Sequence, residues 1–344
     1  MFLLVFFFLF ALTLCAQTLG GNIVFNFLKS SNSPQLTALG GINISQQTKD
    51  IGLTFNNPAL LRPDMHTQSQ AVFNSHPGNI RNYNLLTGYH INKWATTFGF
   101  GIQYFNYGNT TQTDAAGNIL GEFRPTDYAV QAMASRSYLQ NWHYGASLKF
   151  IHSSYGTYRS SGIAMDIGLT YSDTARFLQL AFVMKNMGFQ LRSYNGTSKD
   201  ELPFDLQFGI SKKLEKAPLQ LSLNLHHLHQ FNIRYNDTAF NNSNGIVDNK
   251  NNYFFDKLFR HFVASVQLFV SDKIELSAGY NYLSRKELNI GTGGNGLNGF
   301  SLGVGVLIKK IQVRYARTYF QNNQANNQLG IGFAYNSFSS NHKR

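Results

Sequence analysis

Apolar side chains recur at every second position through most of the chain, beginning near residue 68. Phe98, Phe100, Ile102 and Tyr104 alternate with Gly99, Gly101 and Gln103, and Leu219, Leu221, Leu223 and Leu225 alternate with Gln220, Ser222 and Asn224. Ile163, Met165, Ile167, Leu169 and Tyr171 are spaced by Ala164, Asp166, Gly168 and Thr170. The rhythm returns at Ile274, Leu276, Ala278, Tyr280 and Tyr282, then at Phe300, Leu302, Val304, Val306 and Ile308. Period two predicts β-strands, because successive side chains of a strand point to opposite faces. One face is apolar throughout, and the other carries Gly, Ser, Gln and Asn.

A soluble sandwich would alternate in the same way, but three features separate it from a membrane barrel. The runs extend over roughly 9–12 residues, the length that crosses a hydrocarbon core at a tilt, against about 5–6 in soluble sheets. Tight turns at Asn92-Lys93, Ser271-Asp272 and Lys309-Lys310, and slightly longer ones at 138–141 and 173–176, alternate with long polar connections at 108–125, 188–202, 232–257 and 285–298. Aromatics gather near the ends of runs (Tyr104, Phe105, Tyr107, Tyr280, Tyr282, Tyr315, Tyr319), as an interfacial girdle requires. The expected fold is all-β: a transmembrane antiparallel barrel of about fourteen strands across 68–338, with both termini periplasmic and the long loops at the cell surface. The last run, Leu329, Ile331, Phe333 and Tyr335 to Phe338, would close on the first and remove both sheet edges, which lipid penalises. A polar tail, 339–344, follows.

Composition sharpens the choice. Only 13% of the 344 residues are charged, against about 25% in a soluble domain, while aromatics reach 15%. Aromatics and aliphatics are too abundant for disorder. After the N-terminus no apolar run of ~20 residues occurs, which excludes a helical polytopic membrane protein. Met1 to Leu14 is apolar and too short to span a bilayer, so a signal peptide is expected over 1–16, with cleavage after Ala16. The single cysteine, Cys15, excludes an intrachain disulfide; read as a lipid-attachment site it follows an unsuitably bulky Leu14.

Residues 17–67 do not read as barrel strands. They hold Leu39-Gly40-Gly41, then Asp50, then Asn57-Pro58-Ala59-Leu60-Leu61. Gly40 and Gly41 permit positive φ, and Pro58 pushes Asn57 out of the helical region. In order and spacing these residues resemble the opening of the FadL-like outer-membrane proteins, and within them the PorV-related barrels of the Bacteroidetes type IX secretion system. The resemblance implies a barrel whose N-terminal segment folds into the lumen as a plug, positioned by Gly40, Gly41, Asp50, Asn57, Pro58, Ala59 and Leu61. It also implies a non-enzymatic member of a surface attachment complex that processes secreted cargo. There the barrel would hold a PorZ-like surface protein near a PorU-like sortase and a PorV-like barrel.

Chemistry is otherwise sparse. His226, His227 and His229 form the one dense histidine cluster, but no third ligand follows at useful spacing, so a polar girdle or loop role is expected and no metal or cofactor. Nucleophile elbow, Walker loop and metalloprotease helix are absent from the sequence. The polar faces carry Lys149, Asp166, Glu275 and Arg314, expected as a lumen network holding plug and strands together. The formal net charge is +12, yet the basic residues are scattered, which argues against nucleic acid. Lys93, Lys212, Lys213, Lys216, Lys273, Lys309 and Lys310 fall at the short turns, as interfacial anchors or a docking rim. Arg124, Arg192, Arg285 and Lys286 fall near the long loops, where they would face a partner or lipopolysaccharide phosphates. Two functions therefore compete: an outer-membrane anchor, or a transporter of hydrophobic small molecules with a greasy luminal pocket and a gap in its wall. An open porin is disfavoured by the plug.

Overall fold

The computed structural model describes residues 23–194, 196, 199–234, 253–288, 296–308, 310–319 and 324–335. The expected signal peptide, the polar tail, Lys309, Phe338 and most of connection 232–257 lie outside these residues. Sixteen strands follow in chain order: β1 (Gln68–Ser75), β2 (Arg81–Ile91), β3 (Thr96–Asn106), β4 (Thr110–Thr113), β5 (Ile119–Phe123), β6 (Thr126–Tyr138), β7 (Trp142–Tyr155) and β8 (Tyr158–Asp173). The second half holds β9 (Leu178–Arg192), β10 (Asp205–Lys213), β11 (Leu219–Leu225), β12 (Phe262–Ser271), β13 (Ile274–Asn281), β14 (Phe300–Ile308), β15 (Ile311–Tyr319) and β16 (Ala325–Ala334). Fourteen of them close into one antiparallel barrel, and β4–β5 stand apart as a hairpin. Neighbours in sequence pair throughout, β3 pairs directly with β6, and β1 closes on β16 in the register Gln68↔Ala334 to Ser75↔Asn327.

Burial is inverted relative to a soluble sheet. On β11, Leu221 and Leu223 are exposed while Gln220, Ser222 and Asn224 are buried. On β7, Leu148 and Phe150 are exposed and flank a buried Lys149. Such a surface is stable only when lipid covers the apolar face, and the closed ladder leaves no backbone edge to hydrate. Among the described residues no helix is long and apolar enough to cross a membrane, so the strands make the crossing. Leu223→Arg places a charge on the lipid face and is expected to destabilise the barrel by about 2–4 kcal/mol if that position lies near the midplane. Urea titration of the protein reconstituted in bilayers checks this, and an unshifted midpoint would contradict the lipid-facing assignment.

The two ends of the barrel differ. Short turns such as Asn92–Trp94 occupy one end, where Lys93, Lys212, Lys213, Lys216, Lys273 and Lys310 gather. Lys213 Nζ lies 5.1 Å from the centre of the Phe269 ring. The other end carries the long connections, which hold more regular structure than the sequence suggests. Connection 108–125 contains the β4–β5 hairpin. Strand β9 runs on to Arg192, into the connection expected from residue 188. Helices Tyr253–Phe259 and Tyr282–Leu288 occupy parts of the connections expected at 232–257 and 285–298. The second helix starts where it does because the Asn281 side chain accepts the Ser284 N–H at 3.0 Å, a capping bond that ends the strand rhythm before Tyr282.

Residues 23–67 pass through the lumen. Ile23 bridges to Glu201 at the long-connection end, whereas Thr67 donates to Gly88 and accepts from Tyr335 at the short-turn end.

Candidate functional site: a lumen filled by the chain itself

The plug is a series of short helical turns, each started by a side-chain cap. Ser33 Oγ accepts the Gln35 N–H at 3.2 Å and opens helix Pro34–Ala38, with proline at its first position. Gly40 and Gly41, with φ of 90° and 83°, turn the chain out of that helix, a conformation that favours glycine. Asp50 Oδ1 accepts the Gly52 N–H at 3.0 Å and opens the 3₁₀ turn Ile51–Phe55. Asn57 Oδ1 accepts the Ala59 N–H at 2.9 Å and opens Pro58–Leu60. Asn57 Nδ2 then ties this turn to the Ile44 carbonyl at 2.8 Å. The wall is notched to admit these turns. A Cβ at Gly168 would overlap the Asn57 side chain, and one at Gly279 would overlap the Gly40 backbone. Ala59 and Leu61 are buried, Leu61 within a cluster of Ile51, Phe55, Met65, Leu86 and Met133.

Polar side chains lock the plug to the wall. Asp50, 1% exposed, accepts from Ser33 Oγ at 2.5 Å and from Gln70 Nε2 on β1 at 2.6 Å. Arg314 Nη1 stands 4.0 Å from the same carboxylate, and Arg314 Nε donates to Glu275 Oε1 at 2.7 Å. Glu275 accepts in turn from Gln267, which accepts from Gln46 of the plug. Thr37 donates to Gln328 on β16. The plug aspartate and the Glu275–Arg314 pair are therefore one network.

Lys149 and Asp166 form a second, separate one. Lys149 Nζ lies 2.6 Å from Asp166 Oδ2 and donates to Asn186 Oδ1 at 2.9 Å. Asp166 Oδ1 also accepts the Asn186 backbone N–H at 2.8 Å. Here the β8–β9 register shifts between Met165 and Ile167, and Asn186 has φ 55°. The pair pins a β-bulge, which leaves backbone groups that need new partners. Beside it, Lys185 donates to Asn56 Oδ1 of the plug at 2.7 Å.

Of the four cations expected to face a partner, three are engaged within the chain. Arg124 clasps Asn109 Oδ1 at 3.1 and 3.0 Å across the base of the hairpin. Arg285 donates to the Gly296 and Asn298 carbonyls at 2.9 and 3.4 Å. Lys286 lies 3.5 Å from Asp256, which also holds Arg260 and the Tyr282 hydroxyl and so joins the two helices of this end. Arg192 stands exposed at the end of β9.

Among the described residues, a large cavity opens at each end of the barrel. One of about 540 Å³ at the short-turn end is lined by Gln47, Lys49, Arg62, Asp64, Phe177 and Phe269. One of about 610 Å³ at the other end is lined by Phe25, Phe27, Tyr107, Asp127, Tyr155 and Tyr194. The phenols of Tyr107 and Tyr155 donate to Asp127 Oδ2 at 2.6 and 2.8 Å. Burial pushes the Tyr107 pKa up, which keeps its proton in that bond.

The histidines follow directly on the end of a strand. β11 stops at Leu225, and His227 has φ 54°, so the chain turns there. The turn brings in a residue that sequence spacing could not supply: Asp205 of β10 lies with His226 and His227, each offering a ligand atom within 4.8 Å of the others. His261, from the start of β12, binds the His226 carbonyl at 2.7 Å. Burial pushes the His226 pKa down to about 3 and lowers those of His227 and His229 as well.

No protein family and no curated protein matches the chain by sequence. Solved structures do match its fold. A deletion mutant of the TodX monoaromatic hydrocarbon channel superposes with a TM-score of 0.52 at 12% identity, over 87% of this chain and 97% of that one. A Pseudomonas aeruginosa FadL homologue gives 0.51 at 10% identity, over 88% and 98%. At such identities the likeness shows the fold alone. The chain is a closed fourteen-stranded β-barrel of FadL-like fold. Its particular character within that class is a lumen occupied by its own N-terminal segment.

Proposed function

We propose that this barrel is a non-enzymatic anchor of the outer membrane, of the PorQ kind within the type IX secretion attachment complex. Its long connections face the cell surface and hold a PorZ-like protein near a PorU-like sortase and a PorV-like barrel. The observation that carries this reading is the plug. Asp50, Asn57 and Thr37 bind it to its own turns and to the wall, and Asp50 and Asn57 are among the residues that resemble the family's opening. A lumen so filled leaves the end surfaces as the working parts. The projecting β4–β5 hairpin and the two helices joined through Asp256 supply such a surface. Deleting 232–257 together with the hairpin 110–123 should release the surface partner into the medium while the barrel still assembles. Retention of the partner by the assembled double deletion overturns the anchor reading.

A second reading, import of hydrophobic small molecules, has its own support. TodX, which shares the fold, is a monoaromatic hydrocarbon channel, and the cavity beside Phe25, Phe27 and Tyr155 is largely aromatic. Against it, most of the luminal face of the wall strands is polar, and the fourteen strands pair into a closed ring. Uptake of labelled toluene or fatty acid by proteoliposomes separates the two, and the anchor reading expects none above empty liposomes.

A further inference from the structure

Four of the ten histidines of the chain, His226, His227, His229 and His261, meet where β10, β11 and β12 emerge at the long-connection end. In a continuing strand, adjacent side chains would point to opposite faces. Instead the left-handed turn at His227, uncommon for a residue with a Cβ, folds two neighbouring rings together. Nδ1 of His226 and Nδ1 of His227 lie 2.5 Å apart. Asp205 reaches the same place from β10. Its Oδ1 accepts the His227 backbone N–H at 2.6 Å and stands 3.9 Å from His227 Nδ1. The Asp205 carboxylate is itself oriented, since Oδ2 accepts from Gln207 Nε2 at 2.6 Å. His226 is only 1% exposed, and its Nε2 has no hydrogen-bond partner. Hydrogen bonding among these groups leaves that buried nitrogen unsatisfied.

We propose that Asp205, His226 and His227 form a binding site for a divalent transition-metal ion of the Zn²⁺ class. Two imidazole nitrogens and one carboxylate oxygen are a donor set that suits Zn²⁺, whereas Ca²⁺ and Mg²⁺ favour oxygen alone. His229, with its ring centre 5.9 Å from that of His227, stands near enough to complete the coordination, as water could, whereas both His261 ring nitrogens face carbonyl oxygens. The ion would clamp β10 to the exit of β11, at the root of connection 232–257. The site stands independently of the anchor reading.

Calorimetric titration of the full, tag-free barrel in detergent with ZnCl₂ tests the site, alongside Co²⁺ absorption spectroscopy and the variants His227→Ala and Asp205→Asn. The expected result is one Zn²⁺ per chain and intense visible Co²⁺ bands of a low-coordinate nitrogen–oxygen site. Each variant should weaken Zn²⁺ binding beyond the roughly 10–100-fold that loss of an orienting neighbour brings. Heat-modifiable gel migration shows that the variants remain folded, and the wild-type Co²⁺ spectrum serves if they do not. Absence of stoichiometric Zn²⁺ uptake by the wild type overturns the proposal. So does a Co²⁺ spectrum equal to that of the free ion, or unchanged affinity in both folded variants.

Discussion

Asp50→Ala is expected to open the lumen without preventing barrel closure. The substitution removes the acceptor for Ser33, Gly52 and Gln70 together, and it leaves Arg314 facing a site with no charge on the plug side. Loss of one member of a buried charged set destabilises by about 3–5 kcal/mol. Here that loss falls on the plug, because the wall ladder contains none of these bonds. The protein should still migrate as a folded barrel on unheated gels, while planar-bilayer recordings change from near silence to steady conductance. Asp50→Asn retains an acceptor for the Gly52 N–H and should give an intermediate, flickering conductance. Silent bilayers with the alanine variant would falsify the assignment of Asp50 as the main tie of the plug.

The second large effect belongs to the wall. Lys149→Met leaves the Asp166 carboxylate buried without its cation, held only by Ser147 and Asn186. A destabilisation of about 3–5 kcal/mol is expected from an uncompensated buried charge. The double variant Lys149→Met/Asp166→Asn should recover much of it, because the charge that made the loss costly is then gone. Urea midpoints of the three proteins in the same bilayers give the comparison. If the double variant is as unstable as Lys149→Met, the bulge depends on packing around residues 184–187 and not on the ion pair.

Much of the fold was legible because a barrel wall obeys one local rule. Alternation marked which face of each strand meets lipid, and the end of the plug fell where alternation began, at Gln68. The rule failed where local capping overrode it. Tyr282 keeps the spacing of its strand, yet Asn281 has already started a helix. His226 and His227 looked like opposite faces until the turn brought them together. Pairings among the luminal charges were not legible either. Glu275 on β13 reaches Arg314 on β15 across β14, through the space left by Gly305, where a Cβ would meet the Glu275 side chain. Nothing in the sequence around Gly305 announces that it is a passage. The motif residues stood out as turn formers, but their carboxylate and amide partners lie on strands far away in sequence. Gln70 and Gln328 read only as polar-face glutamines until the barrel closes.

The span of the plug's contacts bears on how such a barrel can be built. Its first and last strands must find each other after the whole wall has been laid down, a closure that is entropically unfavourable for so long a chain. The plug grips β1 through Asp50 and Gln70, and it grips β16 through Thr37 and Gln328. It thus lies across the seam as a small body bound to both margins, holding the Gln68↔Ala334 register from the luminal side.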